Sequence, residues 1–178
     1  MKKTKLIIPI VITIVFAVTV ILLINQNNQY EKMDSEDVKQ LVQDFSSGKK
    51  SAAAASISSD TLIVSTLEKE EFIYQLPQDE FFVSVAPYLV DTHPCAIHNL
   101  ASCRGELANK EFTVYIEDRD GNVYVDEPLT SQSNGFIDLW LPRNKDYQIT
   151  ISYNGKTATT EFATFKDDNT CITTLPLT

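Results

Sequence analysis

Three dipeptides divide the second half of the chain into short segments: Asp120-Gly121, Asn134-Gly135 and Asn154-Gly155. Asp120-Gly121 and Asn154-Gly155 join a residue that tolerates a left-handed backbone to a glycine, the chemistry that tight hairpin turns require, and Asn134-Gly135 opens the segment after it. The segments between them read as strands. Phe112, Val114 and Ile116 alternate along one arm, and Val123 and Val125 continue on the other. Phe136–Leu141, Tyr147–Tyr153, Thr157–Phe165 and Thr170–Thr174 follow. Short strands at this spacing restrict the chain to a small antiparallel sandwich or an open barrel.

The first half is mixed. Asp34 or Ser35 caps a short amphipathic helix whose Val38, Leu41, Val42 and Phe45 recur on one face, and Ser46-Ser47-Gly48-Lys49-Lys50 stops it. Ala52–Ala55 reads as a further helical turn or a second helix of a pair. Leu62–Val64 is strand-like, Glu71–Leu76 alternates up to Pro77, and Phe81, Val83 and Val85 alternate with Phe82, Ser84 and Ala86 up to Pro87. The fold class is α+β: a short N-terminal helical or mixed segment plus a C-terminal antiparallel β sandwich-like domain. Its divisions are an anchor or signal sequence at 1–24, a polar stalk at 25–33, a mixed segment at 34–107 and a β domain at 108–178.

Lys2, Lys3 and Lys5 precede an uncharged run from Leu6 to Ile24. At 1.5 Å per residue these 19 residues nearly cross a hydrocarbon core of about 30 Å. The basic flank holds the near end in the cytoplasm and sends the remainder outward. The expected location is the cell membrane, held by a single N-terminal helix with the globular part outside. A cleaved signal peptide, giving a secreted or periplasmic protein, is the other reading, although no A-x-A-like site follows Ile24. Without the three leading lysines, 12 basic residues stand against 24 acidic ones. A surface so acidic repels phosphate backbones and argues against nucleic acid as a partner. A homodimer is compatible with the sequence.

The chain holds three cysteines and two histidines, and four of these five residues lie within eleven positions: His93, Cys95, His98 and Cys103. In an exported protein an odd cysteine count leaves a thiol free, bound to metal or paired between chains. Thiolates and imidazoles select copper(I) or zinc over calcium or magnesium. Two or three sulfurs with an imidazole suit low-coordinate copper(I). Zinc would take four donors, which Cys95, His98, Cys103 and Cys171 supply if Cys171 reaches the loop. A Cys95–Cys103 or Cys103–Cys171 disulfide with no metal role, and a thiol redox or nucleophilic site, use the same residues. No Cys-x-x-Cys is present, and no catalytic residue is assigned. Asp118–Asn122 lacks the remaining ligands of a calcium loop and reads as a turn, and Trp140 reads as core.

The blocks Leu76–Tyr88, Thr92–His98, Cys103–Leu107, Asn134–Arg143 and Thr170–Thr174, in this order, resemble the CueP family of periplasmic copper-binding proteins. The resemblance implies copper sequestration outside the cytoplasm and delivery to an exported copper enzyme such as a copper/zinc superoxide dismutase. It implies that Cys95, Cys103 and Cys171 are the family cysteines, with Cys103 and Cys171 the leading ligands for Cu(I) and a neighbouring histidine or Cys95 as a third. It also implies that thiols of this kind reduce copper(II), which is the enzyme-like alternative. The apparent anchor departs from the periplasmic pattern.

Overall fold

The structure is a computed structural model and describes residues 30–31 and 33–178. The run Leu6–Ile24 and most of the stalk lie outside the described residues. Helix α1 (Ser35–Ser46) starts where Asp34 accepts the backbone N–H groups of Glu36 and Asp37 at 3.1 Å, with two acidic residues in the first turn to complement the helix dipole. It ends at Ser47 and Gly48, whose φ of +77° glycine adopts freely. Val38, Leu41, Val42 and Phe45 are its buried face, as their spacing predicts. Among the described residues no helix is long and apolar enough to cross a membrane.

Eleven strands follow. In chain order they are β1 (Ala54–Ile57), β2 (Thr61–Ser65), β3 (Glu71–Gln75), β4 (Glu80–Tyr88), β5 (His98–Asn99), β6 (Glu111–Asp118), β7 (Val123–Thr130), β8 (Ile137–Pro142), β9 (Asp146–Tyr153), β10 (Lys156–Ala163) and β11 (Cys171–Pro176). The expected helical turn at Ala52–Ala55 is corrected by β1. Ala55 and Ile57 are fully buried while Ala54 and Ser56 are half-exposed, so burial at a period of two overrides the helical preference of alanine. Strands β1 and β2 turn through Ser58, whose hydroxyl accepts the N–H of Thr61 at 3.1 Å.

The strands form three layers. One sheet runs in the order β3-β2-β1-β5, a second in the order β11-β4-β8, and a third in the order β10-β9-β6-β7. The sheet β11-β4-β8 lies in the middle because β4 is buried on both faces. Phe81, Val83 and Val85 join β6, β9 and β10 in the larger core, whereas Phe82 packs with α1, β1 and β2 in the second core. Trp140 packs edge-on to Phe82, with ring centroids 5.2 Å apart, and takes its place beside that second core. The middle sheet thus joins β4, from before residue 107, to β8 and β11, from after it, and Glu31–Thr178 cluster as one unit.

Among the described residues the protein is mostly β with one short helix, and its stacked sheets fit a sandwich. The pairing is not uniformly antiparallel: β11 lies parallel to β4, with Cys171 opposite Ser84. A parallel partner needs a long crossover, which the chain supplies by placing two hairpins and β8 between them. A register shift between Ile172 and Leu175 turns both residues toward the larger core and leaves Cys171 facing the other way. The Asp118–Asn122 turn closes the β6–β7 hairpin, as its sequence predicts. The Asp118 carboxylate accepts the N–H groups of Asp120 and Asn122 at 3.0 Å and pairs with Lys145 at 2.7 Å.

Candidate metal centre

Cys171 opens β11 at the edge of the middle sheet. It is 1% exposed, packed with Ala86 and Phe136. The loop carrying the other donors is tied to this strand at several points. The N–H groups of Thr170 and Cys171 both donate to the carbonyl of Ala96, at 2.9 and 3.2 Å. The Thr170 hydroxyl donates to the carbonyl of Ile57 at 2.6 Å and accepts the N–H of His98 at 3.0 Å. One side chain therefore fixes β1, β5 and the start of β11 together. Thr92 donates to the carbonyl of Thr173 at 3.1 Å, and the Glu106 carboxylate gathers the N–H groups of Leu89, Val90 and Asp91.

Cys103 is returned to the cluster by a turn built on Asn99. The Asn99 side-chain oxygen accepts the N–H groups of Ala101 and Ser102 at 3.1 Å, and its carbonyl accepts that of Cys103 at 2.9 Å. Behind this turn the backbones of Gly105 and Gly135 touch, with the Gly105 N–H on the Asn134 carbonyl at 2.7 Å. A β-carbon on Gly105 would stand 2.6 Å from the Gly135 carbonyl oxygen, so the crossing requires glycine.

These supports bring the five donors together in two overlapping triads: His93, Cys95 and Cys103, and Cys95, His98 and Cys171. Within each triad the donor atoms lie within 4.8 Å of one another. Cys95 Sγ is 3.8 Å from Cys103 Sγ, and Cys171 Sγ is 3.5 Å from His98 Nδ1. The three cysteines are free. The cluster grades from buried to half-buried: His98 and Cys171 lie inside, while His93, Cys95 and Cys103 stand toward solvent. The His98 ring packs 4.4 Å from Phe136, its Nδ1 faces Cys171 Sγ, and its buried Nε2 has no hydrogen-bond partner among the described residues.

The protons are unequally held. The Cys171 S–H, then His98 and the Asn99 N–H at 3.4 Å, all favour negative charge on Cys103, which holds its thiol far below the usual range despite desolvation. Cys171 is pushed up, first by that same bond to Cys103 and then by burial. Burial also raises Cys95, the leading effect there. Of the three cysteines, Cys103 is the one whose surroundings favour the thiolate, the form that binds a soft cation. An open cleft of about 280 Å³ reaches Cys95 and Cys171 past Glu161 and Asp168.

Asn99, Thr170, Glu106 and the Gly105–Gly135 crossing hold the site without being donors, and donor chemistry alone does not reveal them. The two glycines of the crossing carry a local sign, Gly135 in its Asn-Gly dipeptide and Gly105 as a turn residue behind Cys103, whereas Thr170 and Glu106 carry none.

Fold and donor set together define a class: a β-rich domain bearing a thiol–imidazole cluster suited to soft metal. Residues 36–176 match the family described as periplasmic copper-binding protein CueP. The chain belongs to the CueP family. It is similar to the solved structure titled "Crystal Structure of S.CueP", at 42% identity and a TM-score of 0.74, covering 79% of this chain and 88% of that one. No curated protein gives a significant match.

Proposed function

We propose that this protein captures copper as Cu(I) outside the cytoplasm and passes it to an exported copper enzyme. The observation that carries the reading is the overlap of the two donor triads at Cys95, which links Cys103 and His93 on the outer side to Cys171 and His98 inside. Cys103 and Cys171 serve as the principal ligands. Binding releases the Cys171 proton, because a cysteine holds a soft cation as its thiolate. Cys95 or His98 completes a three-coordinate site, and His93 stands at the outer side. Zinc, which asks for four donors in a tetrahedron, is the weaker fit.

Transfer runs through the half-buried side. Cys95 meets the cleft and exchanges first, so a partner thiol or imidazole replaces it before the buried Cys171 lets go. The uncharged run Leu6–Ile24 supports a tether that keeps the carrier at the membrane, with signal cleavage as the alternative. A superoxide dismutase is the client that the family resemblance suggests.

The Cys95–Cys103 approach favours a second reading, reduction of copper(II). The Cys95 thiol and the Cys103 thiolate would lose two electrons and one proton, form one disulfide and convert two Cu(II) to two Cu(I). Without an electron donor this is a single burst rather than turnover.

X-ray absorption on the copper-loaded full chain tests the reading. Two or three sulfur neighbours and a Cu(I) edge are expected. A shell of nitrogen and oxygen only would overturn it.

A further inference from the structure

A second open cleft of about 280 Å³, whose lining includes none of the five candidate donors, lies between the end of α1, Arg104 and Asn134. Two polar side chains of its lining are almost wholly buried and carry an atom with no hydrogen-bond partner among the described residues. Asn134 is 4% exposed, and its side-chain oxygen accepts the N–H of Phe136 at 3.0 Å. That bond fixes the orientation of the amide, so the group left over is a donor, the Nδ2 amide. Ser46 is 1% exposed, and its hydroxyl has no partner either. Buried donors left unserved are disfavoured by the full loss of their hydration, and two in one cleft point to an acceptor that arrives from outside.

The charges select the kind of acceptor. Lys50 and Arg104 line the cleft and no aspartate or glutamate does, in a chain whose formal net charge is -9. Among the described residues the Lys50 ammonium has no ion pair; Asp44 is engaged by Lys49 instead, at 3.9 Å. The carbonyls at the end of α1, which would otherwise disfavour an anion, are already occupied. Those of Gln43, Asp44 and Phe45 accept the N–H groups of Ser47, Lys50 and Gly48, and those of Ser46 and Ser47 accept the Ser133 hydroxyl. The Arg104 guanidinium spends two of its five donors on the carbonyls of Ala101 and Cys103, at 2.9 and 2.7 Å. Three remain.

We propose that this cleft binds a small oxyanion, a phosphate- or carboxylate-bearing molecule, held by Asn134 Nδ2 and Ser46 Oγ and neutralised by Lys50 and Arg104. The site is separate from the metal centre and does not rest on the copper reading. Because Arg104 also holds the Cys103 carbonyl, a bound anion draws on the residue that steadies the cysteine turn, so the two sites share a support.

Calorimetric titration of the full chain in neutral detergent tests the proposal, with sodium phosphate and sodium malonate as probes at constant ionic strength. Saturable binding of one anion per chain is expected for at least one probe, and the tighter of the two identifies the chemistry. Lys50→Glu, at an exposed position, should weaken it at least tenfold and leave copper stoichiometry unchanged. Asn134→Asp keeps the acceptor for Phe136, removes the donor and should abolish binding. If that variant fails to fold, Ser46→Ala takes its place with an expected loss of severalfold. No saturable binding up to about 10 mM of either probe, or binding that Lys50→Glu leaves undiminished, overturns the proposal and assigns the orphan groups to ordered water.

Discussion

Cys171 Sγ lies 3.5 Å from His98 Nδ1 although 73 positions separate the two residues. The contact exists because Cys171 opens a strand that runs parallel to β4, while His98 sits in β5 on the neighbouring sheet. Thr170 stitches the two together. The interior half of the metal centre is thus a property of tertiary structure, and the loop alone cannot form it.

The unequal sharing of protons predicts unequal thiol reactivity. Cys103 is depressed below the ordinary thiol value and Cys95 and Cys171 are raised above it, so Cys103 is the thiol expected to react first in mild acid. Iodoacetamide applied to the reduced, metal-free chain should alkylate about one thiol, mapped to Cys103, at a rate nearly flat between pH 6 and 8. Cys171→Ala removes the main donor to that sulfur and should move the reaction toward ordinary thiol pH dependence. Equal labelling of all three cysteines would contradict the assignment.

Thr170→Val keeps the shape of the side chain and removes both hydrogen bonds. The carbonyl of Ile57 and the N–H of His98 would be left buried and unserved, at about 1–3 kcal/mol each. Denaturant unfolding should show a loss of that order, and copper affinity should fall with it because His98 and Cys171 lose their common support.

At Gly135, φ is +86° and a β-carbon would collide with the backbone of Gly105. Gly135→Ala should therefore cost about 1–3 kcal/mol or more and displace the turn that returns Cys103. Thermal unfolding and the Cu(I) affinity should both decline. An alanine variant equal to the parent in each would show that the crossing does not position the thiol.

Asp118 predicts acid sensitivity. Its carboxyl is held far below the usual range, first by Lys145 and then by Asn122. A group depressed in this way contributes stability that is fully present above its unfolded pKa of about 3.9 and is lost as pH falls toward the folded value. The chain should lose melting temperature below about pH 4. Asp118→Asn should melt lower at neutral pH and show a shallower loss on acidification.

Much of this architecture was written locally, and what was not has a common cause. The face of α1, the turns at Asp120-Gly121 and Asn154-Gly155 and the two-sided alternation of β4 depend on neighbours within a few residues. Periodicity and turn chemistry carry them. At Ala52–Ala55 local preference misleads, since alanine favours helix and only the neighbours across the sheet make Ala55 and Ile57 a buried strand face. The parallel pairing of β11 with β4 joins residues far apart in the chain and has no local signature. Likewise, the rarity of the five donors marks His93, Cys95, His98 and Cys103 as a group, whereas the place of Cys171 beside them follows from the Thr170 clamp.

The most direct test is an anaerobic titration of the full, reduced chain with Cu(I) against a competing chelator, repeated for Cys103→Ser and Cys171→Ser. One tightly held Cu(I) per chain is predicted for the parent, with affinity reduced at least a hundredfold in either variant. A parent that yields its copper to the chelator, or a Cys103→Ser, Cys171→Ser double variant that retains it, would contradict the account.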